Sequence, residues 1–358
     1  MHVGAPKTGT TYLQDRLALN ARSLSAHDVH IPSRAPLMST GLFHFRAALD
    51  LMGQDWGGAP GHAEGSWDAL VRRVRRADGS AIISHEILAP AAPEHIARLK
   101  ADLADREIHI VYSARDLARQ APAGWQESVK QGRRWRYRRY LARITSGRPW
   151  FARAFDLPTV LSTWGNGLPP EQVHVVTVPQ QSAVDAEPDL LWHRFCRAFA
   201  IDPAWAPEDS DRSNASLGSA ETQVLRALNE RIGRTTRNNP GYDALILGML
   251  ADETLGGQSS APILLPPKLH AWALERGERW AEWLDQSGVD VVGDPADLLP
   301  EPWPEGAKFK HPDRISPKAQ LRAALDALAA MTEEAASRPD PDASMLGRLR
   351  RAREAYKR

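Results

Sequence analysis

The sequence predicts an α/β fold built around a parallel β-sheet. Three short apolar runs, at residues 80–86, 108–113 and 173–178, end in polar residues and are separated by helical patterns. Near-continuous apolar runs are typical of strands that are buried on both faces of a parallel sheet. Their alternation with helices indicates βαβ units. A fourth, very short run at residues 1–3 leads through a Gly/Pro-rich turn directly into a helical pattern.

The connections between these strands in the N-terminal half are predicted to be mainly helical. Leu13, Leu17 and Leu24 fall on one face of the helix that follows the first turn. Ser66 is predicted to cap a later helix, because serine is a preferred residue at that position. The predicted helices are 8–22, 42–52, 66–78 and 93–105, and a short extended piece is expected at 29–32.

The C-terminal third reads as mainly helical. We predict a single domain over residues 1–358, in which 1–250 form the α/β core and 251–358 form a mainly helical C-terminal extension. The Gly/Ser-bearing stretch 252–262 is the best candidate for a linker or flexible loop. Further helices are predicted at 219–232, 269–287 and 317–336, a strand at 289–292, and a basic amphipathic helix or frayed tail at 344–358.

The composition is that of an ordinary globular protein. The chain has 358 residues, 42% of them hydrophobic and 25% charged, which is enough to bury a full core. A net charge of +1 provides no global field that favours nucleic acid or a membrane. The single cysteine, Cys196, excludes an internal disulfide and is expected to be buried. No run predicts a membrane span or a signal peptide. We therefore expect a cytoplasmic protein with no nucleic-acid or membrane partner.

The turn at residues 4–11, Gly-Ala-Pro-Lys-Thr-Gly-Thr-Thr, has the features of an anion-binding loop. A tight turn that opens a helix leaves backbone N–H groups unpaired at the positive end of the helix dipole. Gly4, Gly9 and Thr11 fit the phosphate loop of nucleotide triphosphatases, but Thr10 stands where the lysine is expected and Lys7 lies inside the turn. The alternative is an ordinary strand–turn–helix corner. The strand before the turn is shorter than the usual five or six residues, so we expect the natural start to lie a residue or two earlier.

Polar residues follow the predicted strands at one edge of the sheet. The topology of a parallel sheet brings Lys7, the pair His85 and Glu86, and Arg115 to the edge where ligands bind. If the backbone is extended at 85–86, His85 and Glu86 point in opposite directions, so only one of them faces a ligand. The alternatives are that His85 and Glu86 merely cap the strand, and that Arg115 forms a structural ion pair with Asp116 or another carboxylate. His44 and His62 are further candidates, for which an exposed surface position is the simpler interpretation.

A basic and aromatic segment spans residues 130–155. It contains nine lysines and arginines, no acidic residue, and six aromatic residues, five of them interleaved with the basic ones and the sixth at its end. Such a composition is compatible with nucleic-acid binding. One local patch on a nearly neutral chain is, however, weak evidence for it. The segment is alternatively a solvated basic helix. Our hypothesis is that it borders the site of an acidic acceptor, acts as a lid, or helps to hold an anionic nucleotide.

The turn at 4–11 resembles the phosphosulfate-binding loop of sulfotransferases that use 3′-phosphoadenosine-5′-phosphosulfate (PAPS). The segments 114–120, 125–127, 177–179, 214–218 and 291–294 look like a bacterial branch of these enzymes, so that the resemblance is good over the first 130 residues and loose beyond them. It implies a P-loop NTPase-like three-layer fold, with a central parallel sheet flanked by helices and helical C-terminal additions. It also implies that the loop binds the donor through Pro6, Lys7, Thr8, Gly9, Thr10 and Thr11.

The resemblance assigns roles to the other strand ends as well. An arginine at the position of Arg115 binds the 3′-phosphate of the donor in this family. The serine that usually follows eight residues later is Ala123 here, so half of that phosphate site is unassigned; Ser128, Trp125, Gln126 and Lys130 are nearby candidates. A histidine or a glutamate at the position of His85 or Glu86 is the general base in different branches. We favour Glu86 slightly, with Lys7 stabilising the leaving group.

The function expected from this resemblance is sulfuryl transfer. PAPS is the donor, a hydroxyl or amine of an unidentified small molecule or glycan is the acceptor, and no metal is required, in keeping with the lack of zinc-ligand spacing in the sequence. One alternative is a non-catalytic nucleotide-binding relative, which Ala123 makes possible. The other is a nucleotide kinase or NTPase of related fold. Thr10 in place of the motif lysine speaks against this second alternative.

Overall fold

Parallel strands form the centre of the protein in the computed structural model, which describes residues 1–34, 37–210, 216–237, 240–256, 260–303, 306, 308–338, 347 and 350. β1 pairs with β2, and β3, β4 and β5 pair in that order, each time in parallel. The parallel sheet predicted from the alternation of apolar runs and helical patterns is confirmed. The strands are β1 (Val29–His30), β2 (Ser80–Ala81), β3 (Ile110–Ala114), β4 (Val173–Thr177) and β5 (Asp290–Val292).

The N-terminal segment, residues 1–5, lies between β2 and β3 and joins the two ladders. On one side the amide of His2 donates to the carbonyl of Ile83 over 2.7 Å. On the other side the amide of Val3 donates to the carbonyl of Val111 over 3.0 Å. Both bridges made by His2 are parallel. The hydrogen-bonded order is therefore β1, β2, N-terminal segment, β3, β4 and β5, and the turn that follows the segment lies at the middle of the sheet.

Helices cover both faces of the sheet. Alternation along β3 sends Tyr112 into one buried cluster and Val111 into the other, and β4 does the same with Val175 and Val176. The helices are α1 (Thr10–Leu19), α2 (Ala21–Ser25), α3 (Thr40–Leu51), α4 (Ser66–Arg76), α5 (Pro93–Asp102), α6 (Leu117–Lys130), α7 (Tyr137–Ile144), α8 (Trp150–Phe155), α9 (Leu157–Gly165), α10 (Gln181–Ala186), α11 (Leu190–Ala198), α12 (Ser219–Arg231), α13 (Arg234–Arg237), α14 (Pro240–Asp243), α15 (His270–Ser287) and α16 (Pro317–Ser337).

Three predictions for the N-terminal half were wrong in detail. The first helix is interrupted at Asn20, whose side-chain amide donates to the carbonyls of Arg16 and Glu208, both over 2.8 Å. Ser66 is the first residue of α4 rather than its cap; that position is held by Gly65 in a left-handed conformation, with φ of 72°. The strand predicted over 80–86 is regular only in β2, and a 3₁₀ turn begins at Glu86.

The C-terminal third follows the prediction closely. α12, α15 and α16 lie within two residues of their predicted bounds, and β5 pairs with β4, so residues beyond 250 contribute a strand to the sheet. The predicted linker begins inside a π-helical segment, Ala244–Thr254, and its residues 257–259 lie outside the described part of the chain. The predicted tail at 344–358 lies outside it too, apart from residues 347 and 350. Where helices are described, none combines the length and apolar character needed to cross a membrane.

Candidate functional site

The turn after the N-terminal segment has a backbone that folds tightly over the start of α1. Gly4, Lys7 and Gly9 have positive φ angles of 127°, 66° and 90°. Residues with side chains rarely adopt such angles, so their presence at Lys7 marks a conformation fixed by its surroundings. Gly9 is needed for space as well as for conformation, because a Cβ atom there would meet Leu191 at 2.9 Å.

This turn exposes a run of unpaired backbone donors. The N–H groups of residues 7 to 12 donate to no atom of the described chain, and the first backbone bond of α1 is that from Leu13 to the carbonyl of Gly9. No side chain caps α1. These donors lie at the positive end of the helix dipole. The unpaired N–H groups expected of an anion-binding loop are therefore present in the backbone.

Two residues of the loop brace it from inside. The hydroxyl of Thr8 is buried, donates to the carbonyl of Ala5 over 2.6 Å and lies 2.5 Å from the hydroxyl of Ser113. The carbonyl of Pro6 accepts a hydrogen bond from the side-chain amide of Gln120 over 2.9 Å. The side chain of Thr8 thus fixes the loop, and its contribution to an anion is limited to its backbone N–H. Thr10 is buried and Thr11 is exposed.

His2 ties the loop to two neighbouring strand ends. It is fully buried, with Nδ1 2.8 Å from the hydroxyl of Ser84 and Nε2 3.3 Å from that of Ser113. Burial, followed by the adjacent amino terminus and His85, lowers the pKa of His2 to about 3, so the ring is neutral. Sequence reasoning missed this residue. The available signal was a histidine in the first strand together with a serine at the end of each flanking strand.

Lys7 points toward α6. Its Nζ lies 3.2 Å from Oε2 of Glu127 and forms an ion pair in which both side chains are partly exposed. Burial raises the pKa of Glu127, but the charges of Lys7 and Lys130 and the hydrogen bonds from Lys7 and Gln131 outweigh it, and the net shift is downward. Lys7 is therefore held by the carboxylate of Glu127, which lies in the segment 125–127 but was given no role in the site from the sequence.

Arg115 lies against the loop and has no acidic partner in the described chain. Its Nη1 donates to the carbonyl of Lys7 over 3.1 Å, and its Nε is buried without a partner among the described residues. Asp116 instead forms an ion pair with Arg119 and also accepts a hydrogen bond from the backbone N–H of that residue. The alternative that Arg115 forms a structural ion pair with Asp116 is therefore wrong. Burial lowers the pKa of Arg115 to about 10, with Arg119 adding to the shift and Asp116 opposing it, so the guanidinium stays charged near neutral pH.

His85 and Glu86 lie beside each other rather than on opposite faces of a strand. His85 Nδ1 is 3.9 Å from Glu86 Oε2, because the backbone turns into the 3₁₀ segment at this point. The expectation of opposite directions is therefore wrong. The same Glu86 oxygen accepts a hydrogen bond from the side-chain amide of Gln14 on α1 over 3.3 Å. The side chain of Gln14 thus connects Glu86 to α1, the helix that follows the turn at residues 4–11.

The imidazole of His85 is committed to the backbone. Its Nδ1 accepts a hydrogen bond from the amide of Ile87 over 3.3 Å, which assigns the proton of the neutral ring to Nε2. Burial lowers the pKa of His85 despite the nearby charge of Glu86. The ring also packs against Phe45, with 5.2 Å between ring centroids. In this tautomer His85 has no free lone pair to accept a proton, whereas the carboxylate of Glu86 does.

The nearby candidates for the missing serine are used inside the protein. Ser128 donates to the carbonyl of Gly124 over 2.9 Å, Trp125 to that of Trp135 over 2.9 Å, and Gln126 to that of Leu217 over 2.5 Å. All three side chains are buried. Lys130 lies in the final turn of α6. Within the segment 214–218, Asn214 lies outside the described residues and Ser216 is exposed.

Neither of the two remaining histidine candidates has an exposed imidazole. His44 is buried, and the surface interpretation is wrong for it: Nε2 donates to the carbonyl of Pro32 over 2.8 Å and Nδ1 accepts from the amide of Ser84 over 3.3 Å. The side chain of His62 is only 5% exposed and lies among Trp56, Asp55 and the aromatic ring of Phe45, so the surface interpretation fails for it as well. Cys196 is buried, as predicted, and burial raises its pKa to about 12.

Comparison of the chain with models of protein families, with curated proteins and with solved structures finds no match. Within the ranges that the structure describes, no three His, Cys, Asp or Glu side chains come together as metal ligands. The chemistry of the site therefore has to be argued from its own donors and charges.

Proposed function

We propose that this protein is a sulfotransferase that uses PAPS as its donor and has a P-loop-like three-layer fold. The observation that carries the proposal is a concentration of hydrogen-bond donors without acceptors at one edge of the sheet. Six successive backbone N–H groups and the buried Nε of Arg115 have no partner in the described chain. Buried donors that have no acceptor within the protein are usually satisfied by ordered water or by a ligand.

The residues present fit a ligand with two anionic ends. The N–H groups of residues 7 to 12, with Lys7, would hold the phosphosulfate, and Arg115 would hold the 3′-phosphate. Arg115 donates to the carbonyl of Lys7, so the two anion sites adjoin. The sheet order, in which the segment leading to the loop lies between β2 and β3 with helices on both faces, supports the P-loop-like fold.

The chain's own groups account for the remaining requirements. When bound, PAPS supplies an activated sulfuryl group, so that an acceptor O–H and PAPS yield a sulfate ester, 3′-phosphoadenosine-5′-phosphate (PAP) and a proton. A carboxylate oxygen of Glu86 would take that proton, while Gln14 holds the carboxylate in place. Lys7 and the loop N–H groups would stabilise the negative charge that develops on the bridging oxygen.

A second candidate is a nucleotide-binding relative without transfer activity. It is favoured by Ala123 and by the use of Ser128, Trp125 and Gln126 inside the protein, which leave Arg115 as the assigned ligand of the 3′-phosphate. Arg115 still offers a charged guanidinium, so binding of the nucleotide is expected under both candidates.

Calorimetry and a transfer assay separate these functions. Titration with PAP, in parallel with ATP and magnesium, should give binding of PAP that exceeds that of ATP. Incubation with PAPS carrying a labelled sulfuryl group and a panel of acceptors should then move the label to an acceptor. Binding of PAP without transfer to any acceptor would favour the non-catalytic relative. Preference for ATP with magnesium would refute the proposal.

A further inference from the structure

Part of the basic and aromatic segment, residues 132–139, borders two open cavities at the protein surface. Five arginines between residues 133 and 139 are exposed, and none of their side chains has a hydrogen bond or ion pair to the described chain. Two adjoining cavities, of about 320 and 500 Å³, open among them and share Trp135 and Glu230. The arginines are Arg133, Arg134, Arg136, Arg138 and Arg139. We name the joined space and these arginines the basic cavity.

The backbone of the basic cavity is held firmly. The carbonyl of Trp135 accepts a hydrogen bond from the buried indole of Trp125, and that of Arg133 accepts one from Asn229 over 3.2 Å. The carboxylate of Asp313 accepts hydrogen bonds from the backbone N–H groups of Tyr137 and Arg138 over 2.9 and 3.1 Å. The guanidinium groups therefore project from a fixed scaffold. Like charges on such a scaffold repel one another, and an anionic ligand would relieve that repulsion.

One acidic residue lines both parts of the cavity, and a second accepts hydrogen bonds from its backbone. Oε1 of Glu230, which lines both parts, lies 2.5 Å from Nη1 of Arg226. The carboxylate of Asp313 receives backbone amides. Trp135 presents a half-buried ring with the guanidinium of Arg143 over it, 4.6 Å from the ring centroid. The cavity thus combines several guanidinium groups with one aromatic ring.

The cavity adjoins the candidate site. Glu127, the partner of Lys7, accepts a hydrogen bond from Gln131 over 3.1 Å, and Gln131 precedes Gly132, which lines the larger cavity. The Lys7 ammonium is therefore connected with the cavity through the side chains of Glu127 and Gln131 and the peptide bond between Gln131 and Gly132.

We propose that the basic cavity binds the carboxylate or sulfate groups of an acidic oligosaccharide whose hydroxyl is the acceptor. The inference rests on the proposed function. Guanidinium groups pair with such groups through two hydrogen bonds. The larger cavity alone, about 500 Å³, is within the usual size of a ligand site. A nucleic acid would require an extended basic stripe, whereas this chain has a net charge of +1 and a patch confined to one segment.

The test uses the full chain and two triple variants. Arg134→Gln/Arg138→Gln/Arg139→Gln removes charge from the cavity. Arg76→Gln/Arg148→Gln/Arg153→Gln removes the same charge from exposed arginines that do not line it. Calorimetry measures binding of oligogalacturonate, a heparin-type oligosaccharide, a neutral maltooligosaccharide of equal length, a single-stranded oligodeoxynucleotide and PAP.

We expect wild type to bind an acidic oligosaccharide and not the neutral one. The cavity variant should lose about tenfold or more in that affinity, with a weaker salt dependence, while the control variant should retain it. Affinity for PAP should be unchanged in both variants. Equal losses in both variants, binding of neither acidic oligosaccharide, or tighter binding of the oligodeoxynucleotide would overturn the inference. If wild type bound the acidic oligosaccharide at the cavity but did not bind PAP, the proposed function and the acceptor role would be refuted. The oligosaccharide site itself would stand.

Discussion

Nζ of Lys7 lies 3.2 Å from Oε2 of Glu127, although 120 residues separate them in the chain. The ion pair joins the anion loop to α6 and places a negative charge beside the site proposed for the donor's phosphosulfate. A partly exposed pair of this kind contributes only about 0.2–1 kcal/mol. The carboxylate is therefore more important as a competitor for Lys7 than as a source of stability.

Glu127→Gln should increase the affinity for PAP. Removing the carboxylate releases Lys7 and removes a repulsive charge, so we expect the dissociation constant to fall by about two- to fivefold. Lys7→Met should raise it by about tenfold. Calorimetry on both variants gives opposite changes if Lys7 faces the ligand. Equal dissociation constants for wild type and both variants would show that Lys7 does not contact the nucleotide.

Arg115→Ala should impair ligand binding much more than folding. Among the described residues, the side chain makes one hydrogen bond, to a backbone carbonyl, so we expect the free energy of unfolding to change by less than about 1 kcal/mol. The affinity for PAP should fall about 10- to 100-fold, and that for 5′-AMP, which lacks the 3′-phosphate, should change little.

A neighbouring arginine provides the matched control. Arg119→Ala would leave the buried carboxylate of Asp116 without its charged partner, although the backbone N–H of residue 119 still donates to it, and we expect the free energy of unfolding to fall by about 2 kcal/mol. If Arg115→Ala destabilised the protein as strongly, or weakened AMP and PAP binding equally, Arg115 would be a structural residue.

The general base can be assigned by two separate variants. Glu86→Gln should reduce kcat by about 10²- to 10³-fold, because the amide cannot accept the acceptor's proton. His85→Ala should have a smaller effect, since Nδ1 of His85 is bonded to the backbone. Steady-state kinetics with a saturating acceptor measure both. Near-normal turnover in both variants would exclude a base at this strand end.

Buried neutral histidines should make stability depend on pH. Burial lowers the pKa of His44 to about 4, against an opposing hydrogen bond with Pro32, while the unfolded chain has the ordinary value of 6.5. Between these values the unfolded chain binds a proton that the folded chain does not. The free energy of unfolding therefore falls as pH falls from 6.5 toward 4, by about 1.4 kcal/mol per pH unit for each such histidine.

Urea unfolding at pH 7, 6 and 5 measures this dependence. His2 adds to it, since its pKa is lowered to about 3. His44→Gln should reduce the slope by about one proton, while keeping a donor for the carbonyl of Pro32. A slope identical to that of wild type would show that His44 is protonated in the folded protein.

The sequence predicted the class of fold and the convergence of three strand ends because both follow from periodicity and parallel topology. Lys7, Glu86 and Arg115 come to one edge since their strands run in the same direction. The details depend on contacts between distant residues. Nothing near Lys7 in the sequence points to Glu127, and nothing near His44 points to its hydrogen bonds with Pro32 and the amide of Ser84.

Local backbone geometry was also beyond reach. Strand alternation applies only while the chain is extended, and the 3₁₀ turn at Glu86 brings its carboxylate beside His85. Gly65 holds the capping position of α4 in a left-handed conformation, which glycine adopts readily, and Ser66 becomes the first residue of the helix. The alternation of aromatic and basic residues in the basic segment is visible in the sequence. That Tyr137 and Tyr140 are buried while the arginines are exposed could be known only from the fold.

A crystal structure with PAP bound tests the central claim most directly. We predict that the 5′-phosphate accepts hydrogen bonds from the backbone N–H groups of residues 7 to 12, and that the 3′-phosphate lies against the guanidinium of Arg115. Glu86 should face the space beside the 5′-phosphate where an acceptor hydroxyl would bind. A nucleotide bound elsewhere, or one whose 3′-phosphate makes no contact with Arg115, would contradict the account.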